Sequence, residues 1–164
     1  MEMTKRWLSL YVENSIGVLA KISGLFSAKA YNLDSLTVGA TEDETISRMT
    51  IGLTSDDQTF EQVKKQLNRS VEVIKVVDLT RAPIHQKELL FIKIHSCTPA
   101  EMEVLFKMAQ VFGLDVLDYT GTALLLQSVH SEQENNTIIA RLKQSFSTRM
   151  SLTRSGPLAV ETLL

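Results

Sequence analysis

Residues 12–38 read VENSIGVLAKISGLFSAKAYNLDSLTV. This stretch decides the fold, because the apolar spacing changes twice within it. Before it, KRWLSLYV alternates: Leu8, Leu10 and Val12 fall on one face and Trp7, Ser9 and Tyr11 on the other, the pattern of a strand. After Gly17, the residues Val18, Leu19, Ile22, Leu25 and Phe26 form one stripe of a helix. From Asn32 a strand pattern returns in NLDSLTVGAT, through Leu33, Leu36 and Val38. Between the first strand and the helix lies Asn14-Ser15-Ile16-Gly17.

Working outward, ISRMTIGLT is a further strand, and the polar segment from Thr41 to Glu44 joins it to its predecessor as a hairpin loop. SDDQTFEQVKKQL opens on N-cap residues at Ser55 and Asp56 and carries Phe60, Val63 and Leu67 at helical spacing. VEVIKVVDL closes the series as a strand. The polar break TRAPIHQKE follows, and then the order repeats. LLFIKIH is a strand. TPAEMEVLFKMAQVFG is a helix with Thr98 as N-cap, Pro99 at its first position, Glu101 placed for a capping box and Gly113 as C-cap. LDVLDY and ALLLQSV are strands. SEQENNTIIARLKQSF opens on Ser131 and Glu134, a second capping box, and TRMSLTRSG is a last strand. The expected fold is α+β, two ferredoxin-like β-α-β-β-α-β units. The expected domains are residues 1–80 and 87–164, joined by a linker at 81–86. Such a sheet leaves one face uncovered by its own helices, so self-association is expected.

Composition limits the function. The net charge of −2 argues against a nucleic-acid surface. No run approaches the ~20 apolar residues of a membrane span, and the N-terminal sequence has no signal-peptide pattern, so a cytoplasmic location is expected. The single cysteine, Cys97, excludes an intramolecular disulfide framework and a multi-cysteine zinc site. Cys97 and His95 sit at a strand end, where neighbouring residues point apart, so a nucleophile–base pair is not expected. The helix start that follows favours a thiolate there. The acidic pairs Asp56-Asp57 and Glu132/Glu134 stand at helix starts and read as caps. Neither phosphate-loop fingerprint is present.

The turn at Asn14–Gly17 remains. The first-turn N–H groups of the helix after it lack intrahelical acceptors and suit a carboxylate. Gly17 removes a side chain where a ligand could approach. Asn14 carries both donors and an acceptor. Ile16, Val18 and Leu19 add apolar surface beside them. A carboxylate clamp beside an apolar wall describes a site for a small hydrophobic amino acid. From spacing alone, a simple N-cap and a tight-turn glycine stay open as the other reading.

Residues 12–51 also closely resemble the N-terminal segment of the regulatory small subunits of acetolactate synthase (acetohydroxyacid synthase). The likeness rests on Glu13, Asn14, Gly17, Leu19, Gly24, Leu25, Phe26, Tyr31, Asn32, Ser35, Leu36 and Val38. It continues through Thr41, Ser47, Arg48, Met49 and Thr50. SLTRSGPLAV resembles a late segment of the same family. The resemblance implies that the N-terminal unit is an ACT domain that dimerises. It implies a chain without catalytic residues or cofactor of its own, which activates a large catalytic subunit. That partner would carry thiamine diphosphate, Mg2+ and FAD. Valine, or another branched-chain amino acid, would bind at the dimer interface and inhibit. Carried over by position, the effector residues are Asn14, Ser15, Ile16, Gly17, Val18 and Leu19 from one subunit, with Asn32 and its neighbour Leu33 from the other. The N-terminal sheet and the SRMT segment are the expected surface toward the catalytic subunit. The sequence departs from the family pattern at Ile16, Lys21 and Lys29-Ala30, which bears on the choice of effector. The other reading of the resemblance is a free-standing ACT-type amino-acid sensor acting on a different partner.

Overall fold

The computed structural model describes residues 2–28 and 31–163. The chain divides into one compact unit that runs to His85 and includes the segment from Leu158 onward, and a second unit of Gln86–Pro157. The fold is α+β, with one antiparallel sheet and two helices in each β-α-β-β-α-β series.

The first unit contains β1 (Thr4–Glu13), α1 (Val18–Ala28), β2 (Leu33–Ala40), β3 (Ile46–Ser55), α2 (Asp57–Leu67) and β4 (Val73–Asp78). Its sheet order is β2-β3-β1-β4, so β2 and β4 are the edges. The alternation in β1 does what it predicts: Leu8, Leu10 and Val12 are buried against Met49, Ile51 and Leu53 of β3, Ile22 and Phe26 of α1, and Phe60, Val63 and Leu67 of α2. Leu19 departs from expectation. It lies at the margin of the α1 stripe and stays 45% exposed, while Val18 takes the buried position. Asp56 rather than Ser55 caps α2, its carboxylate accepting the Thr59 N–H at 2.7 Å, because Ser55 is still paired in β3. On the outer sheet face the Trp7 ring lies across Gly52, where a Cβ would stand 2.6 Å from it. That contact explains a glycine in mid-strand.

The second unit contains β5 (Ile84–Ile94) from Gln86 onward, α3 (Pro99–Phe112), β6 (Asp115–Tyr119), β7 (Leu124–His130), α4 (Glu132–Phe146) and β8 (Met150–Arg154), in the order β6-β7-β5-β8. β5 already begins at Ile84. Thr98 with Glu101 and Ser131 with Glu134 form both expected capping boxes, and Gly113 ends α3 with φ +64°. The sequence did not foretell β9 (Leu158–Glu161), which pairs with β5. Its four residues carry no period long enough to read.

The RSG segment near residue 155 has a structural task. Arg154 grips Glu88, which is almost fully buried, through Nε and Nη2 at 2.7 Å each. Asn135 Nδ2 donates to the same carboxylate at 3.1 Å, and Ser128 Oγ donates to Asn135 Oδ1 at 2.6 Å. The serine proton is thereby used, so the 2.8 Å contact to His130 takes its hydrogen from His130 Nδ1. Burial raises the Glu88 carboxyl, but the bonds from Arg154 and Asn135 outweigh it and hold the group below its usual range. Ser155 Oγ accepts the Leu89 N–H and donates to the Gly156 carbonyl, and Gly156 turns the chain with φ +80°.

Cys97 is a correction. Burial raises its thiol instead of the helix start lowering it, because the side chain lies in the core beside Met102 and Leu105. Its Sγ points to the His95 carbonyl oxygen at 3.7 Å, and His95 Nδ1 meets Ser96, so the two residues form no dyad.

Glu101 shows how acid should act on this fold. Hydrogen bonds from Arg149, and then the Thr98 N–H, pull its carboxyl from the ordinary 4.5 to about 2. A depressed carboxyl stabilises the fold above its unfolded value, and that contribution fades as pH falls through the folded one. Glu101→Gln is therefore expected to be less stable than the parent near neutral pH. The gap should close between about pH 4.5 and 2. Urea unfolding of both proteins across this range checks it, and a gap independent of pH would contradict the assignment.

Candidate functional site

β1 ends at Glu13, and the chain turns through Asn14–Gly17 into α1. Gly17 has φ +89°, in the left-handed region where a side chain is strained, and the space beside its Cα is open. The Val18 N–H reaches the Ser15 carbonyl only at 3.4 Å, and the first well-formed bond is Lys21 N–H to Gly17 O at 3.0 Å. The intervening N–H groups of Leu19 and Ala20 have no acceptor among the described residues. These exposed donors carry the partial positive charge of a helix start.

Two neighbouring loops hold the turn. The Asn14 N–H donates to the Thr45 carbonyl at 2.7 Å, and Asn14 Nδ2 donates to the Glu44 carbonyl at 2.8 Å. The side-chain amide is thus tied to the β2–β3 hairpin, which leaves Oδ1 as the group available to accept from a ligand. The hairpin is itself braced. Asp43 Oδ1 accepts the Thr45 hydroxyl at 2.6 Å and its N–H at 2.9 Å, and these bonds hold the Asp43 carboxyl below its usual range. On the other side the Glu13 N–H donates to the Glu72 carbonyl at 2.9 Å, and Lys21 pairs with the Glu72 carboxylate. Sequence reasoning did not connect these loops to the turn. The Asp43-x-Thr45 spacing, typical of an Asx-turn, was the available signal for the hairpin.

The predicted residues are not all in one place. Asn14, Ser15, Ile16 and Gly17 are exposed together at the turn, and Leu19 is half exposed beside them. Val18 faces the core, so it offers a ligand only its backbone. Asn32 is exposed and Leu33 half buried at the start of β2. Register fixes how far these lie from the turn. Leu33 pairs with Leu53, which pairs with Arg6, so the start of β2 is level with Arg6. Asn14 is eight residues further along the strand direction, or ~26 Å at ~3.3 Å per residue. The other end of β2, at Ala40, is the end beside the turn, because Ala40 and Val12 both pair with Ser47. Within one chain the turn and Asn32 therefore stand at opposite ends of the sheet. Lys29 and Ala30 lie outside the described residues.

Elsewhere in this unit, a cavity of about 600 Å³ is lined by Arg6, Asp56, Asp57, Thr80 and Arg81 among others. Its lining is charged and lacks the apolar wall an aliphatic side chain needs. Among the described residues no three His, Cys, Asp or Glu side chains are grouped to hold a metal, and no helix is long and apolar enough to cross a membrane.

Comparison with known proteins adds identity to this geometry. The profile of the AHAS small subunit-like ACT domain matches residues 8–75, and that of the small subunit of acetolactate synthase matches residues 87–162. The acetolactate synthase small subunit of Haemophilus influenzae is 35% identical over 156 residues, covering 95% of this chain and 94% of that protein. The acetolactate synthase isozyme 3 small subunit of Salmonella typhimurium is 33% identical over 152 residues, covering 93% and 92%. The crystal structure of the acetolactate synthase small subunit from Thermotoga maritima superposes with a TM-score of 0.86 at 26% identity, covering 98% of this chain and 99% of that one.

The tie from Asn14 to the hairpin is testable. Asn14→Asp replaces the donor with a carboxylate facing the Glu44 carbonyl. The expected loss is about 1 kcal/mol in urea unfolding. Amide exchange should also quicken at Asn14 and through the 41–45 hairpin. Unchanged exchange there would show that the backbone bond alone holds the turn.

Proposed function

We propose, for a chain that belongs to the acetolactate synthase small-subunit family, that it is the regulatory partner of a catalytic large subunit. It raises the activity of that subunit and lets valine, or another branched-chain amino acid, inhibit it. Decarboxylation of pyruvate on thiamine diphosphate and its joining to a second 2-oxo acid belong to the partner chain.

The observation that carries this reading is the split between the Asn14–Gly17 turn and Asn32. The turn offers what an amino acid needs: free N–H groups for the carboxylate, Asn14 Oδ1 for the ammonium, open space at Gly17, and Leu19 as apolar wall. It is an open half-site. β2 has an unpaired edge, and a two-fold copy adding there would run antiparallel. The start of one β2 would then lie at the end of the other. That arrangement brings Asn32 and Leu33 of one protomer to the turn of its partner and closes a site against both. The effector bridges two chains and stabilises one dimer arrangement. Its effect on the catalytic subunit is limited to its differential affinity for the two arrangements.

Thermal unfolding with L-valine, and with D-valine as control, tests the site. An effector that binds only the folded state adds ~2.7 kcal/mol at ~100 times its dissociation constant. That should raise the midpoint by several degrees for the L form alone. Gly17→Asp places a carboxylate where the effector's own would sit. This variant is expected to lose the shift and the feedback inhibition while still activating the large subunit. Full inhibition persisting in Gly17→Asp would remove the turn from the site.

A further inference from the structure

The loop end of the first unit carries a surface that effector capture does not account for. Three connections meet there: the Asn14–Gly17 turn, the hairpin from Thr41 to Thr45, and the α2–β4 loop ending at Glu72. The bonds from Asn14 to Thr45 and from Glu13 to Glu72 hold them side by side. The turn and the α2–β4 connection present aliphatic residues to water, while the hairpin tip is acidic. Ile16 is completely exposed, Val71 is 87% exposed, and Ile74 at the start of the β4 edge is 55% exposed. Single exposed aliphatics are ordinary, but three on adjoining segments at one end of the sheet form a patch that marks a contact.

The rim of the patch is acidic. Glu13, Glu42 and Glu44 are exposed, and none of their carboxylates has a partner among the described residues. Asp43 keeps its charge while bonded to Thr45, Glu72 is paired with Lys21, and Arg69 is the remaining cation of these loops. A second copy is a poor occupant, because a two-fold contact would set the same carboxylates against each other. The outer sheet face, expected from the SRMT segment to meet the catalytic subunit, is already engaged by this chain. Arg48 donates to Ser9 Oγ at 2.8 Å, to the Ala159 carbonyl at 3.5 Å and to Glu161 at 3.2 Å, and Ser9 and Thr50 are fully buried there.

We infer that the loop end, through Ile16, Val71 and Ile74 within a rim of Glu13, Glu42 and Glu44, is the surface that docks on the catalytic large subunit. This rests on the regulatory reading above and adds the surface and the complementary chemistry: an apolar socket ringed by lysine or arginine side chains. Ile16 points outward from the same turn whose backbone faces the effector, so effector capture and docking share one short segment.

The test measures binding of the full chain to its purified large subunit by biolayer interferometry at low and high salt. The variants are Val71→Asp and the pair Glu42→Lys with Glu44→Lys. Thr153→Lys, exposed on the sheet of the second unit, is the control. Affinity of the parent is expected to fall as salt rises. Val71→Asp should weaken binding by about tenfold or more, and the double charge reversal should weaken it and flatten the salt dependence. Thr153→Lys should bind like the parent. Val71→Asp should keep its L-valine thermal shift, which shows that its fold and effector site are intact. Parental binding by both loop variants would overturn the docking surface alone. So would a Val71→Asp chain that lost its own dimer in sedimentation while still binding the large subunit. Absence of any binding by the parent chain would overturn the regulatory reading and this surface with it.

Discussion

The register of β2 on β3 on β1 is the constraint on which the rest depends. Ten paired positions join β1 to β3 from Thr4 to Glu13, and β2 follows β3 with one shift near Leu33. A slip by one residue would turn Leu8, Leu10 and Val12 out of the core, so the apolar alternation fixes the pairing strongly. The same pairing puts the helix-start donors at one end of the sheet and Asn32 at the other. A small amino acid cannot span that distance. A site built from both, as proposed, needs a second chain, and the open edge of β2 is where a second chain can add a strand. In the proposed function effector binding and dimerisation become one equilibrium, because the strand register separates the two proposed halves of the site.

The turn is stiffer than its exposure suggests. Its glycine is the one residue that takes φ +89° without strain, and its asparagine is tied by both backbone and side chain to the hairpin of the next two strands. A ligand meeting this turn loses little to ordering it, since the ordering is already done by Thr45, Glu44 and Glu72. The proposed effector groups and the proposed docking surface are joined by these same few hydrogen bonds. The bistable element this asks for is the dimer arrangement itself.

Much of this was legible in the sequence. The elements of both units follow from spacing, and Thr98, Glu101, Gly113, Ser131 and Glu134 mark their ends because caps are local chemistry. The strand-to-helix turn at Asn14–Gly17, with its glycine and free helix-start donors, was recognisable because its residues are adjacent in the chain. What depends on distant partners was not. Nothing near Asn14 says that its amide is taken by Glu44, thirty residues on. A helix stripe does not tell that Leu19 sits at its margin, which only the sheet beneath decides. Cys97 was read from its helix start, but the core around Met102 and Leu105 outweighs that local field. The chain of hydrogen bonds from Ser128 through Asn135 and Glu88 to Arg154 joins four elements and leaves no pattern in sequence. β9 is four residues long and engaged through Arg48, a residue far away in the first unit.

The central claim is that one effector site is built from the turn of one chain and Asn32 of another. Mixing two defective chains tests it directly. Calorimetric titration with L-valine should find no binding to Gly17→Asp alone or to Asn32→Ala alone. After the two are mixed and allowed to exchange subunits, each mixed dimer holds one site broken twice and one site intact. Random exchange should then restore about one quarter of the parental binding capacity, as a two-fold interface requires. No recovery on mixing would mean that the turn of one chain and Asn32 of another do not complete a common site, and would contradict the account.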